Sequence, residues 1–224
     1  MPYNKGMKRL LPIGIQDFAD IRERGFLYID KTARIHELIS SSGKAFFLSR
    51  PRRFGKSLLC STLGAVFEGR RELFKGLAID SLEWPWKKHP VIRIDLNPGD
   101  YTDGVATLRE TLRNALKNSA SDLGLNVRGQ VVSDQFLNLI MDAHREHGER
   151  VTVIIDEYDK PLLNTIDMVD LREKMRKVLK GFYSVLKSAD PHLHFVLLTG
   201  VTKFFHVSIF SDLNHLEPPC RSYA

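Results

Sequence analysis

The sequence predicts an α/β fold in which three layers form, with a parallel sheet between helices on both faces. Two observations carry this prediction. Short apolar runs typical of buried strands recur along the chain, and longer amphipathic helical patterns separate them. Strands that alternate with helices favour a parallel sheet, because each crossover helix returns the chain to the same edge. No internal repeat or low-complexity linker interrupts the alternation.

The predicted elements follow one another with clear boundaries. Residues 16–42 contain two short helical patterns with an apolar piece between them. An apolar run over 45–48 predicts a buried strand, which ends at Pro51, and Gly55 precedes a helix over 56–67. The remaining predicted elements are strands over 91–95, 151–155 and 195–199, and helices over 103–119, 133–147 and 169–188.

Composition excludes several classes of protein. The 224 residues include 33 Lys+Arg and 27 Asp+Glu, which gives a formal charge of +6. With 43% hydrophobic and 27% charged residues, the chain is typical of globular proteins and unlike disordered or collagen-like ones. No apolar run approaches the ~18 residues that span a bilayer, and the first residues do not form a secretory signal. Two cysteines are too few for a disulfide framework or a cysteine-based zinc site, so we expect a cytoplasmic protein with no membrane partner.

The pattern also predicts how the chain is divided. Residues 1–43 are expected to form a helical and strand segment that packs on the core, residues 44–216 the core, and residues 217–224 a divergent tail.

Basic residues cluster in one interval that lacks acids. No acid occurs between Glu37 and Glu68, and this interval contains Lys44, Arg50, Arg52, Arg53 and Lys56. Such a cluster can hold a polyphosphate or a nucleic-acid backbone, and charge alone does not decide between them.

The segment after the first predicted strand carries the strongest chemical pattern. Gly55, Lys56 and Ser57 stand in that order at the start of a predicted helix. Backbone N–H groups at a helix start bind anions, a lysine there reaches the outer phosphates, and a hydroxyl can ligate Mg²⁺. Phosphate loops usually have a further glycine five residues earlier, where this chain has Arg50. The plainer alternative is a basic turn whose lysine and serine are only solvated.

A second pattern ends an apolar strand in the acids Asp156 and Glu157. Ligands of open parallel sheets bind at the carboxyl ends of strands. Asp156 is therefore a candidate for the Mg²⁺ shell, and Glu157 for the general base that acts on the attacking water. The alternative is a surface loop with acids near a helix start, where negative charge is favourable. Together with the Gly-Lys-Ser pattern, the two acids predict a sheet of the P-loop NTPase type.

The strand over 91–95 lies in sequence between these two patterns. This order is expected in the branch of P-loop ATPases that has an inserted central strand, where the next strand ends in a polar residue near the terminal phosphate. Thr199 is the candidate for that sensor, or else it only caps a strand before Gly200. Lys203 is a further candidate to approach the same phosphate.

Five tracts of the chain are distinctive in combination. They are LPIGIQDF, YIDKT at 28–32, FLSRPRRFGKSLL at 47–59, VIIDEYDKPL at 153–162 and LLTGVTKFFHVSIFSDLNHL at 197–216. Together they resemble the bacterial predicted AAA-ATPase-like family from about residue 10 to residue 216. That family's phosphate loop is similar to RPRRFGKS, so the resemblance makes Arg50 a family trait. It implies a P-loop domain that takes ATP and Mg²⁺, commonly followed by a domain similar to the PD-(D/E)XK nucleases.

The resemblance also implies roles for single residues. Lys56 and Ser57 are the phosphate and Mg²⁺ residues, Asp156 is the metal-shell acid and Glu157 the base. The nucleotide-binding loop it implies consists of Arg52, Arg53, Phe54, Gly55, Lys56 and Ser57.

Two groups of residues keep alternative interpretations. Arg52 and Arg53 could stabilise transition-state charge, contact a DNA or protein partner, or be solvated. Asp30, Lys31 and Thr32 could position the base or ribose, or form a helix cap, which Asp and Thr favour.

After residue 216 the chain departs from the family. The tail matches nothing familiar, and the lid and nuclease-like domain are missing, so a truncated or frameshifted product with impaired turnover is expected. Three hypotheses result: an ATP-binding, ATP-hydrolysing conformational switch, a non-catalytic nucleic-acid-binding module, and an inactive fragment of a larger ATPase. The sequence does not indicate an oligomeric state.

Overall fold

The chain forms a parallel sheet covered by helices on both faces, as predicted. The computed structural model describes residues 10–202 together with the two-residue strand at 216–217. The strands stand in the order β2-β3-β4-β1-β5, and every pairing is parallel. Strand β4 lies between β1 and β3, which confirms the inserted central strand.

The observed elements agree with the predicted ones to within a few residues. The strands are β1 (Ala45–Ser49), β2 (Val91–Asp95), β3 (Val151–Asp156), β4 (Leu193–Gly200) and β5 (Leu216–Glu217). The helices are α1 (Phe18–Glu23), α2 (Thr32–Ile39), α3 (Lys56–Phe67), α4 (Val105–Asp122), α5 (Val132–His147), α6 (Lys160–Asn164) and α7 (Val169–Ser188).

Each face of the sheet has its own hydrophobic core. On one face α4, α5 and α7 pack over alternate strand residues such as Ile92 and Val153. On the other face α1, α2 and α3 pack over the residues that point the opposite way, such as Ile154 and Leu197. Helices cover β3 on both faces, so all six of its residues are buried, and a strand in this position is mostly apolar.

The N-terminal elements contribute directly to the second core. Phe18 of α1 is fully buried, and Ile35 and Leu38 of α2 are nearly so. The predicted divisions of the chain at residues 43/44 and 216/217 stay predictions. Lys203 lies outside the described residues, as does the tail apart from Glu217.

The parallel arrangement gives the sheet two distinct edges. At the carboxyl edge, Leu48 of β1 pairs with Thr199 of β4, and Asp95 of β2 pairs with Asp156 of β3. At the amino edge, the strand starts at Val91, Val151 and Leu193 lie side by side. Within the described residues, no helix is long and apolar enough to cross a membrane.

Candidate functional site

The loop between β1 and α3 has the backbone of an anion-binding turn. Gly55, directly before the helix, has a φ of 75°, and Arg53 has a φ of 68°. No side chain caps the first turn of α3, so its N–H groups are available to an anion. Arg50 has no positive φ, and its N–H donates to the Gly200 carbonyl at 3.1 Å. A glycine is therefore not required at position 50, which explains the departure in the pattern.

Lys56 is buried, with only 4% of its surface exposed. Its ammonium lies 3.1 Å from Glu157 Oε1 and donates to the carbonyls of Arg50 at 3.2 Å and Pro51 at 3.4 Å. A buried cation requires such partners because its desolvation is costly. The lysine thus holds the loop on one side and the acid after β3 on the other.

Asp156 and Thr199 meet at the ends of adjacent strands. The fully buried Thr199 hydroxyl donates to Asp156 Oδ1, which also accepts the N–H of Glu157 at 3.0 Å. The predicted sensor and the predicted metal-shell acid are therefore in direct contact.

Glu157 has a φ of 54°, a left-handed conformation that is uncommon for residues other than glycine. That turn brings its carboxylate back toward Lys56, and each of the next three residues forms a hydrogen bond to the loop after β2 or the loop after β4. Tyr158 donates its hydroxyl to the Thr202 carbonyl at 2.9 Å, and Lys160 donates to Asn97 Oδ1 at 2.6 Å. The loop after β3 is therefore fixed to the loops after β2 and β4.

Asp159 connects the loops after β3 and β4 through a buried carboxylate. Its carboxylate is fully buried and accepts the N–H groups of Val201, at 3.0 Å, and Thr202, at 2.7 Å. Gly200 permits this approach, because a Cβ atom there would lie 2.7 Å from Asp159 Oδ1 and closer still to the Tyr158 ring.

Asp95 is a site residue that sequence reasoning missed. It ends β2 beside Asp156 and lines a cavity of about 240 Å³ together with Ser57, Cys60 and Asp156. Burial and the neighbouring Asp156 carboxylate raise the pKa of Asp95. The signal was present in the sequence, since β2 and β3 both end in aspartate, but only the strand register brings the two acids together.

The rest of the predicted loop is open to solvent. Arg52 and Arg53 are exposed, and 68% of the Phe54 surface is exposed. Cys60 is buried, and burial raises the pKa of its thiol.

Asp30 and Thr32 form a structural turn. Asp30 Oδ1 accepts the N–H and hydroxyl of Thr32 at 2.8 and 2.7 Å. Its other oxygen accepts the N–H of Ala78 at 2.7 Å, and the Thr32 hydroxyl accepts that of Ile79 at 3.0 Å. The capping interpretation matches these contacts, which join the start of α2 to the turn at residues 78–81.

The basic residues of α7 do not extend the basic loop. Helices α3 and α7 cover opposite faces of the sheet, and Arg176 pairs with Glu173 at 2.7 Å. Among the described residues, no group of three histidine, cysteine or acidic side chains could hold a metal ion by itself. A metal at the carboxyl edge would thus need oxygens from a ligand or water besides those of the chain.

Comparisons with known proteins give a family match over most of the chain. Residues 12–210 match the model of the AAA-ATPase-like family, described as "Predicted AAA-ATPase". A relative from Azotobacter chroococcum mcd 1, described as "Uncharacterized protein in vnfD 5'region", is 42% identical over 212 residues. The match covers 94% of this chain and 40% of the relative, so the chain spans well under half of that protein's length. No solved structure matches the chain.

Proposed function

The chain belongs to the AAA-ATPase-like family, and from that premise we propose that it binds ATP with Mg²⁺ at the carboxyl edge of its sheet and hydrolyses it to drive a conformational switch. The observation that carries the proposal is the position of Lys56. Its ammonium is buried at the uncapped start of α3, between the loop carbonyls and Glu157. A cation beside free helix N–H groups is the arrangement that binds phosphates.

The side chains present suit a nucleotide with its metal. Lys56 offsets phosphate charge, and the N–H groups at the start of α3 receive phosphate oxygens. Ser57 and Asp156 line one cavity and offer the oxygen ligands that Mg²⁺ prefers, alongside phosphate oxygens and water. Ser57 and Asp156 would hold the Mg²⁺, whose positive charge would offset the negative charge of the phosphates.

Glu157 is the general base in this proposal. Phosphate binding draws Lys56 away from Glu157, and the freed carboxylate can then accept a proton from the attacking water. Thr199 donates its hydroxyl to Asp156 in the structure, and in this proposal it exchanges that bond for one to the terminal phosphate.

The same contacts provide a route for the switch. Asp159, two residues after the base, holds the N–H groups of Val201 and Thr202. A shift of the Glu157 turn would move the chain that follows β4.

The first test is the binding of a fluorescent ATP analogue, with and without Mg²⁺. We expect wild-type chain to bind it in a Mg²⁺-dependent manner and Lys56→Ala to lose at least about 100-fold in affinity, since a buried charge partner of the phosphates is removed. Lys117→Ala, which removes an exposed lysine of α4, is the matched control and should bind like wild type. Equal binding by wild type and Lys56→Ala would refute the proposal.

The exposed Arg52, Arg53 and Phe54 favour nucleic acid as the second candidate ligand, because cations beside an aromatic ring suit phosphates and stacked bases. Binding to a phosphate backbone would fall steeply with salt and ignore Mg²⁺. Binding of the ATP analogue should instead require Mg²⁺, so one titration series in salt and metal separates the two functions.

A further inference from the structure

A second cavity lies at the amino edge of the sheet, away from the phosphate loop. Its volume is about 490 Å³, within the range of cavities that hold small ligands. It opens where β2, β3 and β4 begin. Its wall includes the side chains of Trp84, Lys87, His89, His144, Arg150 and His194.

Two histidines are stacked face to face in this cavity. The rings of His89 and His194 are parallel to within 5°, with centroids 3.9 Å apart. His89 Nδ1 lies 3.0 Å from the carbonyl of Arg150, whereas no described residue forms a hydrogen bond with the His194 ring. Burial, followed by the charges of His89 and Arg150, lowers the pKa of His194 to about 4. Burial also lowers the pKa of His89, so both rings are neutral near pH 7, and the ring nitrogens of His194 are available to a ligand.

The surrounding charges are mostly positive. Glu149 pairs with Lys87 at 2.7 Å, whereas Arg150 forms no ion pair with any described residue. On the neighbouring wall, His144 Nδ1 lies 2.9 Å from His192 Nδ1, so these two rings share one proton. A metal ion fits poorly here, because the stacked rings direct their lone pairs along parallel lines and ligands of one ion must converge.

We propose that the cavity binds a small phosphate-type anion, held by the Arg150 guanidinium and by a ring N–H group of His194. An anion would supply the negative charge that Glu149 alone does not, and guanidinium groups bind phosphate oxygens in pairs. Trp84 and Pro85 form an apolar wall, which suits the organic part of a phosphomonoester. The ligand chemistry is thus a phosphate group, either free or on a small molecule.

Protonation of His194 should strengthen this binding, so the affinity should rise as the pH falls from 6 to 4. The titratable and charged groups that face His194 are His89, Lys87, Glu149 and Arg150, with His144 and His192 on the adjoining wall. A bound anion stabilises the protonated imidazole of His194, so ligand and proton bind together.

The test uses isothermal titration calorimetry of the chain carrying Lys56→Ala, so that the phosphate loop does not contribute. Inorganic phosphate and phenyl phosphate are titrated at constant ionic strength. We expect one saturable site, weakened at least ten-fold by Arg150→Gln and by His194→Asn. The matched control is Lys117→Gln, which removes one exposed positive charge of α4 and should leave the affinity unchanged.

Histidine NMR supplies a second measurement on the same variants. Saturating phosphate should raise the pKa of His194 by at least one unit, which a purely structural histidine pair would not show. Arg150 is exposed, so Arg150→Gln keeps the test decisive even if His194→Asn does not fold. Tighter binding of phenyl phosphate would identify a phosphomonoester, and tighter binding of inorganic phosphate the free anion.

No saturable binding, or equal affinity in the Arg150→Gln and control variants, would overturn the proposal. Either result would leave the ATP proposal unaffected, because it concerns the opposite edge of the sheet.

Discussion

The two edges of the sheet differ in whether their basic side chains have acidic partners. At the carboxyl edge the buried Lys56 has an acidic partner, Glu157, at 3.1 Å. At the amino edge several basic groups share one acid, Glu149, which is paired with Lys87. Lys56 at the carboxyl edge therefore has a counter-charge without any ligand, whereas Arg150 at the amino edge has none among the described residues.

This difference sets what a ligand must do at each edge. A phosphate that reaches Lys56 competes with Glu157, so binding there is coupled to the release of an internal partner. An anion at the amino edge displaces no internal acid from Arg150 and adds a counter-charge. We infer that ligand binding changes the internal contacts of the carboxyl edge, whereas the amino edge keeps its contacts and retains the ligand.

The largest expected effect comes from a substitution that breaks the ion pair of Lys56 with Glu157. Glu157→Gln should lower the rate of ATP hydrolysis by about 10²- to 10³-fold, because the general base is lost. Affinity for ATP should stay the same or rise, since Lys56 no longer has a carboxylate to leave. Phosphate release and equilibrium binding, measured on one preparation, separate the two effects.

The control for that variant is Glu110→Gln, which changes an exposed acid of α4. It should hydrolyse ATP like wild type. If Glu157→Gln also kept the wild-type rate, the assignment of the base would be wrong and Asp95, another acid on this edge, would become the candidate.

The next effect concerns how tightly the carboxyl edge is packed. Gly200→Ala should lower the free energy of unfolding by about 1–3 kcal/mol, as overpacking against Tyr158 and Asp159 forces both to move. Gly181→Ala in α7 is the matched control, because a Cβ there meets nothing within 4 Å. It should raise stability by about 0.5–1 kcal/mol through helix propensity. Urea unfolding measures both, and a wild-type free energy of unfolding for Gly200→Ala would contradict the packing argument.

Sequence reasoning reached the carboxyl edge because its chemistry is local. Gly55, Lys56 and Ser57 are consecutive, and Asp156 and Glu157 follow an apolar strand of unmistakable composition. Each pattern therefore predicts its own position at the end of a strand or the start of a helix. The contact of Thr199 with Asp156 requires β4 to lie beside β3, which is the order expected in the branch of P-loop ATPases with an inserted central strand.

The amino edge could not be predicted in this way. His89 and His194 are separated by more than 100 residues, and no short-range spacing relates them. Only the register of β2, β3 and β4 places their strand starts together. The same reason hid Asp95, and the role of Asp159 depends on a turn at Glu157 with a φ that residue type alone does not predict.

The smallest expected effect tests the uncompensated charge of the amino edge through pH. The pKa of His194 is lowered to about 4 in the folded chain, against roughly 6.5 when unfolded. As the pH falls through this window, the unfolded chain takes up the proton first, so the folded state loses stability. His194→Asn removes that proton and should lose less stability than wild type between pH 7 and 4.5, by about 1–2 kcal/mol after allowance for solvent screening.

Urea unfolding at a series of pH values measures that difference, and His147→Asn, an exposed histidine of α5, should follow the wild-type curve. If the free energy of unfolding of wild type fell with pH as little as that of His194→Asn, protonation of His194 would not be disfavoured in the folded chain. Saturating phosphate should then make the comparison sharper, because an anion that stabilises the protonated rings must flatten the wild-type curve and leave the His194→Asn curve almost unchanged. The two edges would thus differ in a measurable way. An added anion should stabilise the folded chain more as more of the histidine rings at the amino edge are protonated, whereas Lys56 at the carboxyl edge already has its counter-charge in Glu157.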